Sequence, residues 1–318
     1  MYGTPGSNTS QLNLGDTDDH DIGNISYNHS DNSMRFTANA SERLRIDSSG
    51  RLLINTDDSR IVEDSAGNGP QGFIQIEAAD SSAIMSIISA GTNDANRCGT
   101  INLGRHRNST VGGTPTVVQN GDALGSIVFS GGDGTDMRTR GATIIASCDG
   151  SPGSNDMPTR LTFSTGADGG GGATTERLRI DSRGSFQFSN GLMCESVKIN
   201  STARTGTQAV NLDDGMVHYF SSSSTGTWKP NFTMSAGNDI NATISVGDVV
   251  SPTMIVNKSN TAHYADSVQV DGSDRTIDWL GGAPTDGGGN NTFDVYSYTI
   301  IKTGSDTFVV FGSVSNYE

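Results

Sequence analysis

The chain has 318 residues, with 20 Lys and Arg against 35 Asp and Glu, a formal net charge of −15. Hydrophobic side chains make up 33% and charged ones 17%, while 41 positions are Gly, so many non-polar positions carry no side chain at all. The acidic balance repels phosphate, no stretch is long and apolar enough for a transmembrane helix, and no heptad pattern persists, which argues against nucleic-acid binding, membrane insertion and a helical bundle.

The first ten residues, MYGTPGSNTS, show neither the basic nor the apolar region of a secretory signal. Soon after comes the acidic cluster Asp16-Thr17-Asp18-Asp19-His20-Asp21. Hard cations take several oxygen ligands from a tight loop, so Asp16, Asp18, Asp19 and Asp21 are candidate metal ligands. The cluster lacks the spacing and terminal Glu of an EF-hand, and a solvated acidic turn is the competing reading.

From Arg43 the pattern has a period of two: Arg43, Arg45 and Asp47 alternate with Leu44 and Ile46. This predicts a half-buried strand. Asp47-Ser48-Ser49-Gly50 supplies turn chemistry, and Arg51–Asn55 continues as a second strand, which completes a β-hairpin. Further strands are predicted at Gly72–Glu77, Ala83–Ser89, Thr100–Gly104, Gly125–Ser130, Ala142–Ser147 and Arg160–Thr165. Turns rich in Gly, Asp, Asn and Pro separate them. For Glu77–Ser89 a short helix competes, but the β-branched Ile84, Ile87 and Ile88 favour two strands.

Thr175-Glu176-Arg177-Leu178-Arg179-Ile180-Asp181-Ser182-Arg183-Gly184 then repeats Ser41–Gly50, with eight of ten positions identical at an offset of 134 residues. A duplicated structural unit accounts for that identity. Near Asn190 the chain changes character. Strands predicted at Met216–Ser221, Thr227–Met234, Val249–Asn257, Ser267–Val270, Tyr296–Lys302 and Thr307–Ser313 carry most of the aromatic residues, including both Trp. The best-formed core is expected here.

The fold class is therefore all-β, in three parts: an N-terminal hairpin module at 1–60, a β-rich module at 61–190 that ends in the second hairpin copy, and a C-terminal β domain at 191–318. Cys98, Cys148 and Cys194 are widely spaced and odd in number, so they form neither a disulfide framework nor a zinc pattern. The Gly runs 169–172 and 287–289 lack the Lys-Ser/Thr that would make them phosphate cradles. No cofactor is expected.

Asp31-Asn32-Ser33-Met34-Arg35-Phe36-Thr37 followed by Ser41–Gly50 resembles the repeated modules of tail-fibre and related virion proteins of tailed phages, particularly those of marine bacteria. Asn120-Gly121-Asp122, Asp149–Pro158 and Arg160–Thr165 are similar to the body of such a module. Gly215-Met216-Val217-His218 and Tyr298–Gly304 resemble the end domain of such fibres. The similarity spans most of the chain. It implies elongated hairpin and sandwich modules in an intertwined homotrimer with a sandwich-like tip.

In that setting Glu42, Arg43, Arg45 and Asp47, and Glu176, Arg177, Arg179 and Asp181, become candidates for pairing between chains. The implied partners are further copies of the chain, another virion tail or fibre protein, and a host-surface glycan or protein; the implied location is the virion, after synthesis in the host cytoplasm. The chain opens directly in module sequence, without the tail adaptor of long fibres, and an autocleaving chaperone domain is not recognisable. Trp279, Trp228, Tyr264 and Tyr296 are candidate receptor contacts, with the loop Asp278–Asn291 as their carrier, because sugar faces stack on aromatic rings. Core packing is the competing reading for each. The expectation is a non-enzymatic fibre. A structural fibre or decoration protein of the head or tail hub, and a polysaccharide depolymerase with two catalytic carboxylates, are the alternatives.

Overall fold

Alternating residues become paired strands along most of the chain. The computed structural model describes residues 8–60, 72–79, 83–90, 98–235, 238–258, 260–287 and 292–317. It is nearly all β, 45% strand and 2% helix. Residues Met1–Leu192 and Met193–Glu318 form two compact units.

The first unit holds two sheets. Strands β1 (Thr9–Leu14), β2 (Gly23–Asn28), β3 (Ser33–Ala38), β4 (Ser41–Ile46), β5 (Leu52–Ile54) and β6 (Ile74–Ile76) pair in sequence order, so the first sheet reaches past residue 60. All pairs are antiparallel except β5 with β6. Strands β7 (Ala123–Gly131), β8 (Thr139–Cys148), β9 (Thr159–Gly166), β10 (Thr174–Ile180) and β11 (Phe186–Phe188) form the second, wholly antiparallel sheet.

The two copies of the repeat are β4–β5 and β10–β11. Gly50 and Gly184 close their turns at φ 77° and 83°, where a side chain would be strained. Asp47 accepts from the amides of Ser49 and Arg51, and Asp181 accepts from those of Arg183 and Ser185. Each copy also carries a β-bulge. Partners step from Phe36 with Leu44 to Thr37 with Glu42, leaving Arg43 over, and from Phe163 with Leu178 to Ser164 with Glu176, leaving Arg177 over.

Register places apolar residues in unbroken rungs. Leu12, Ile25, Phe36, Leu44, Ile54 and Ile76 are successive partners across all six strands of the first sheet. In the second sheet Phe188, Leu178, Phe163, Ile144 and Ile127 do the same across five. Each sheet therefore has one apolar face, and among the described residues that face is only partly covered: Leu44, Ile54, Ile144, Phe163 and Leu178 are half-buried, while Phe186 is 64% exposed and Phe188 62%. Among the described residues, the buried hydrophobic side chains of the first unit are Leu53, Val118 and Cys148.

Two sequence expectations fail here. Ala83–Ser89 and Thr100–Gly104 are neither strand nor helix. Their apolar residues are exposed, with Ile88 at 84%. β-Branched residues favour a pleated surface only where a partner strand completes it, and no described strand pairs with these segments.

The second unit is a sandwich. Its larger sheet comprises β12 (Val197–Asn200), β14 (Val217–Phe220), β16 (Val249–Val250), β17 (Thr253–Asn257), β20 (Ile277–Trp279), β21 (Phe293–Gly304) and β22 (Thr307–Tyr317), in the order β12-β14-β17-β21-β22-β20 with β16 beside β21. The smaller sheet is β13 (Gly206–Asn211), β15 (Trp228–Thr233), β18 (Val268–Val270) and β19 (Ser273–Arg275). The expected strand Val249–Asn257 is split into β16 and β17 at Ser251-Pro252, since Pro has no N–H for the ladder.

The inner faces of both sheets supply one core, which includes Val210, Phe232 and Val270 from the smaller sheet and Met254, Tyr298 and Ile300 from the larger. Edge-to-face rings tie the sheets together, Trp228 on Tyr296 at 5.4 Å and Phe232 on Tyr298 at 5.0 Å. Among the described residues no helix is long and apolar enough to cross a membrane.

Candidate functional site

Along β21 and β22 every second residue enters the core, so the others form the outer face of the larger sheet. Near the β20 edge this outer face makes an open trough lined by Asp278, Trp279, Leu280, Ser297, Thr299, Phe311, Gly312 and Ser313. The register accounts for its layout. Asp278 partners Phe311, and Phe311 partners Thr299; one step along, Ser313 partners Ser297. Phe311 thus stands in the middle, 45% exposed, between a carboxylate and a hydroxyl.

Trp279 borders the trough, but its ring turns the other way. It partners Gly312 and packs edge-to-face on buried Tyr298 with ring centres 6.0 Å apart. Only Gly permits this, since a Cβ at 312 would lie 2.8 Å from two Trp279 ring carbons.

The other aromatic candidates divide. Trp228 is 3% exposed and Tyr296 fully buried, so both are core residues and neither presents a ring to a receptor. Tyr296 accepts the Ala265 amide, and burial raises its phenol well above the ordinary range. Tyr264 is half-buried. Of the loop Asp278–Asn291, residues 288–291 lie outside the described residues. Phe311 was not singled out by sequence because a Phe in an apolar run reads as core; its outward register is the missing signal.

The acidic cluster is committed to its own turn. Asp16 accepts the amides of Asp18 and Asp19, and Asp19 that of Asp21. Hydrogen bonds from the amides of Asp19 and then Asp18 hold the Asp16 carboxyl below its ordinary range. Among the described residues no group of three or more His, Cys, Asp or Glu is placed to hold a metal ion. Asp16, Asp18, Asp19 and Asp21 are thus not brought together as a ligand set among the described residues, and the Asp16 and Asp19 carboxylates accept backbone amides of the same turn.

Several charges of the repeat pair within one chain. Arg45 spans both oxygens of Glu42, and Arg179 spans those of Glu176 at 2.9 and 2.8 Å. Asp47 also takes the Arg51 guanidinium, and Asp181 that of Arg183. Arg43 donates to the Ala38 carbonyl, and Arg177 to Thr165 and the Asn190 carbonyl. These groups have partners without a neighbouring chain.

A buried charge cluster, which sequence reasoning missed, lies in the second unit. Lys258 and Asp294 are fully buried and pair at 2.9 Å. Buried Arg204 donates to the carbonyls of Ser222 and Asn257 and lies over Phe220 at 4.9 Å and Trp228 at 5.4 Å. Burial lowers the Arg204 guanidinium to about 10 and raises the Asp294 carboxyl.

No protein-family model and no curated protein matches this sequence. Among solved structures, the chain is similar to the carboxy-terminal domain of the bacteriophage T5 L-shaped tail fibre, with 17% identity over 59% of this chain and 74% of that one at a TM-score of 0.39. It is also similar to that domain with its intra-molecular chaperone domain, at 17% identity over 64% of this chain and 57% of that one, TM-score 0.40.

Proposed function

We propose that the chain is a non-enzymatic, tail-fibre-like component of a phage virion. It assembles as a homotrimer, and its second unit contacts the host surface. The observation that carries this reading is the pair of apolar sheet faces in the first unit, which run across six and five strands and which the described residues of one chain leave half-buried at the centre and exposed toward the edges. Each buried aliphatic or aromatic side chain contributes about 1.5–3 kcal/mol, so a unit whose rungs stay partly in water forgoes part of its stabilisation. Sibling copies carry the same rungs and cover them without new chemistry. The resemblance of the duplicated hairpin to fibre modules supports three copies.

The sandwich of the second unit has its own core and so suits a terminal, surface-reading domain. Mass by light scattering tests the assembly: three times the 33.2 kDa chain is expected, and a single-chain mass overturns it. Labelling the C-terminus on virions and following adsorption tests the orientation. Host polysaccharide incubated with the protein keeps its viscosity if the fibre does no hydrolysis.

A further inference from the structure

We infer that the outer-face trough of the second unit binds one uncharged pyranose ring; this rests on the host-contact reading above and names its ligand class. Four observations carry it. Phe311, 45% exposed, stands at the centre of the trough as its apolar aromatic group. Hydroxyls of Thr299, Ser297 and Ser313 lie on the same outer face in register beside it. The Asp278 carboxylate stands across from Thr299 on the other flank of Phe311. Among the described residues, neither these hydroxyls nor that carboxylate has a hydrogen-bond or ionic partner.

Neighbouring strands lie ~4.8 Å apart, so groups on the two flanks of Phe311 stand about 9.6 Å apart, the span of one sugar ring with a hydrogen bond at each edge. A pyranose has the matching chemistry: a C–H face for the aromatic ring and edge hydroxyls that donate to a carboxylate and exchange bonds with side-chain hydroxyls. Charge fixes the class. Among the described residues that line the trough, Asp278 is the single charged side chain. Uronic, sialic and phosphorylated sugars are therefore repelled, whereas neutral hydroxyl donors are not.

The test is saturation-transfer NMR on the purified full chain, with methyl glycosides of glucose, galactose, mannose and N-acetylglucosamine, and glucuronate as the charged control. The probes are used at millimolar concentration, where a site with Kd near ~1 mM is read. Transfer to ring protons of at least one uncharged glycoside is expected. Phe311→Ala should weaken it about tenfold, the equivalent of one stacked ring, and Asp278→Asn should weaken it while near-ultraviolet circular dichroism stays unchanged.

Transfer to none of the four, transfer to glucuronate alone, or undiminished transfer in Phe311→Ala overturns the site. So does a Phe311→Ala chain with altered assembly mass, which would make the trough an interface between copies. A trimer that adsorbs to cells yet is silent in this experiment overturns the sugar site alone. A single-chain mass, or loss of adsorption with transfer intact, overturns the fibre reading and leaves the site standing.

Discussion

Phe188 and Ile127 stand on opposite edge strands of one sheet and terminate the same apolar rung, joined through Leu178, Phe163 and Ile144. A rung of that length, exposed at both ends among the described residues, is a surface that another protein surface can cover. In a lone chain, Phe188→Asp at a 62% exposed position is harmless. In the proposed trimer it places a charge in a closed interior. We expect Phe188→Asp to abolish the trimer mass in light scattering, while Gln187→Asp on the next residue leaves it intact. An unchanged assembly in Phe188→Asp would remove this face from the interface.

Gly312→Ala probes the edge of the sandwich. The added methyl meets the Trp279 ring at 2.8 Å and Ile277 at 3.0 Å. Overpacking of this kind costs about 1–3 kcal/mol. A lower thermal midpoint with red-shifted tryptophan emission is expected, and a midpoint equal to wild type would contradict the close approach.

Arg204 probes the buried cluster. Arg204→Lys keeps the charge but cannot reach both the Ser222 and Asn257 carbonyls while lying flat against Phe220 and Trp228. An orphaned buried acceptor costs about 1–3 kcal/mol. Arg204→Lys should therefore melt several degrees lower, with altered near-ultraviolet circular dichroism from Trp228; a spectrum and midpoint matching wild type would refute this role.

Acid should loosen the two units in separate windows. Burial holds the His218 pKa below 6.5, and its Nε2 donates to the Gly215 carbonyl. The unfolded chain takes up that proton first, so this contribution is full above pH 6.5 and declines as pH falls below it. Asp181 is held at about 2 by the amide of Ser185 and the guanidinium of Arg183. Its contribution is full above the unfolded value of ~3.9 and disappears as pH falls through about 2. Thermal midpoints followed against pH should lose the first decline in His218→Gln and the second in Asp181→Asn. Slopes identical to wild type in both variants would refute the assignment.

The strands most legible in the sequence were those whose partner lies nearby. Arg43–Asn55 announced a hairpin because alternation and the Asp-Ser-Ser-Gly turn agree, and both copies fold that way. Long-range pairing was not legible. Nothing near Leu12 announces Ile25 and Phe36 beside it, and nothing around Ile84–Ile88 reveals that no described strand completes them. The bulge at Arg43 was equally hidden, although it lets Glu42 meet Arg45: residues three apart on a regular strand face opposite ways, and one extra residue reverses the parity. In the proposed site, Trp279 borders the trough, but the register turns its ring inward and puts Phe311 on the outside.

The partly covered rungs of the first unit also bear on how such a protein is made. In the proposed trimer a newly synthesised copy offers a greasy ribbon until its siblings arrive, and assembly and clumping draw on that same ribbon. Both quicken as copies meet more often, so the soluble yield is set by which of the two is faster.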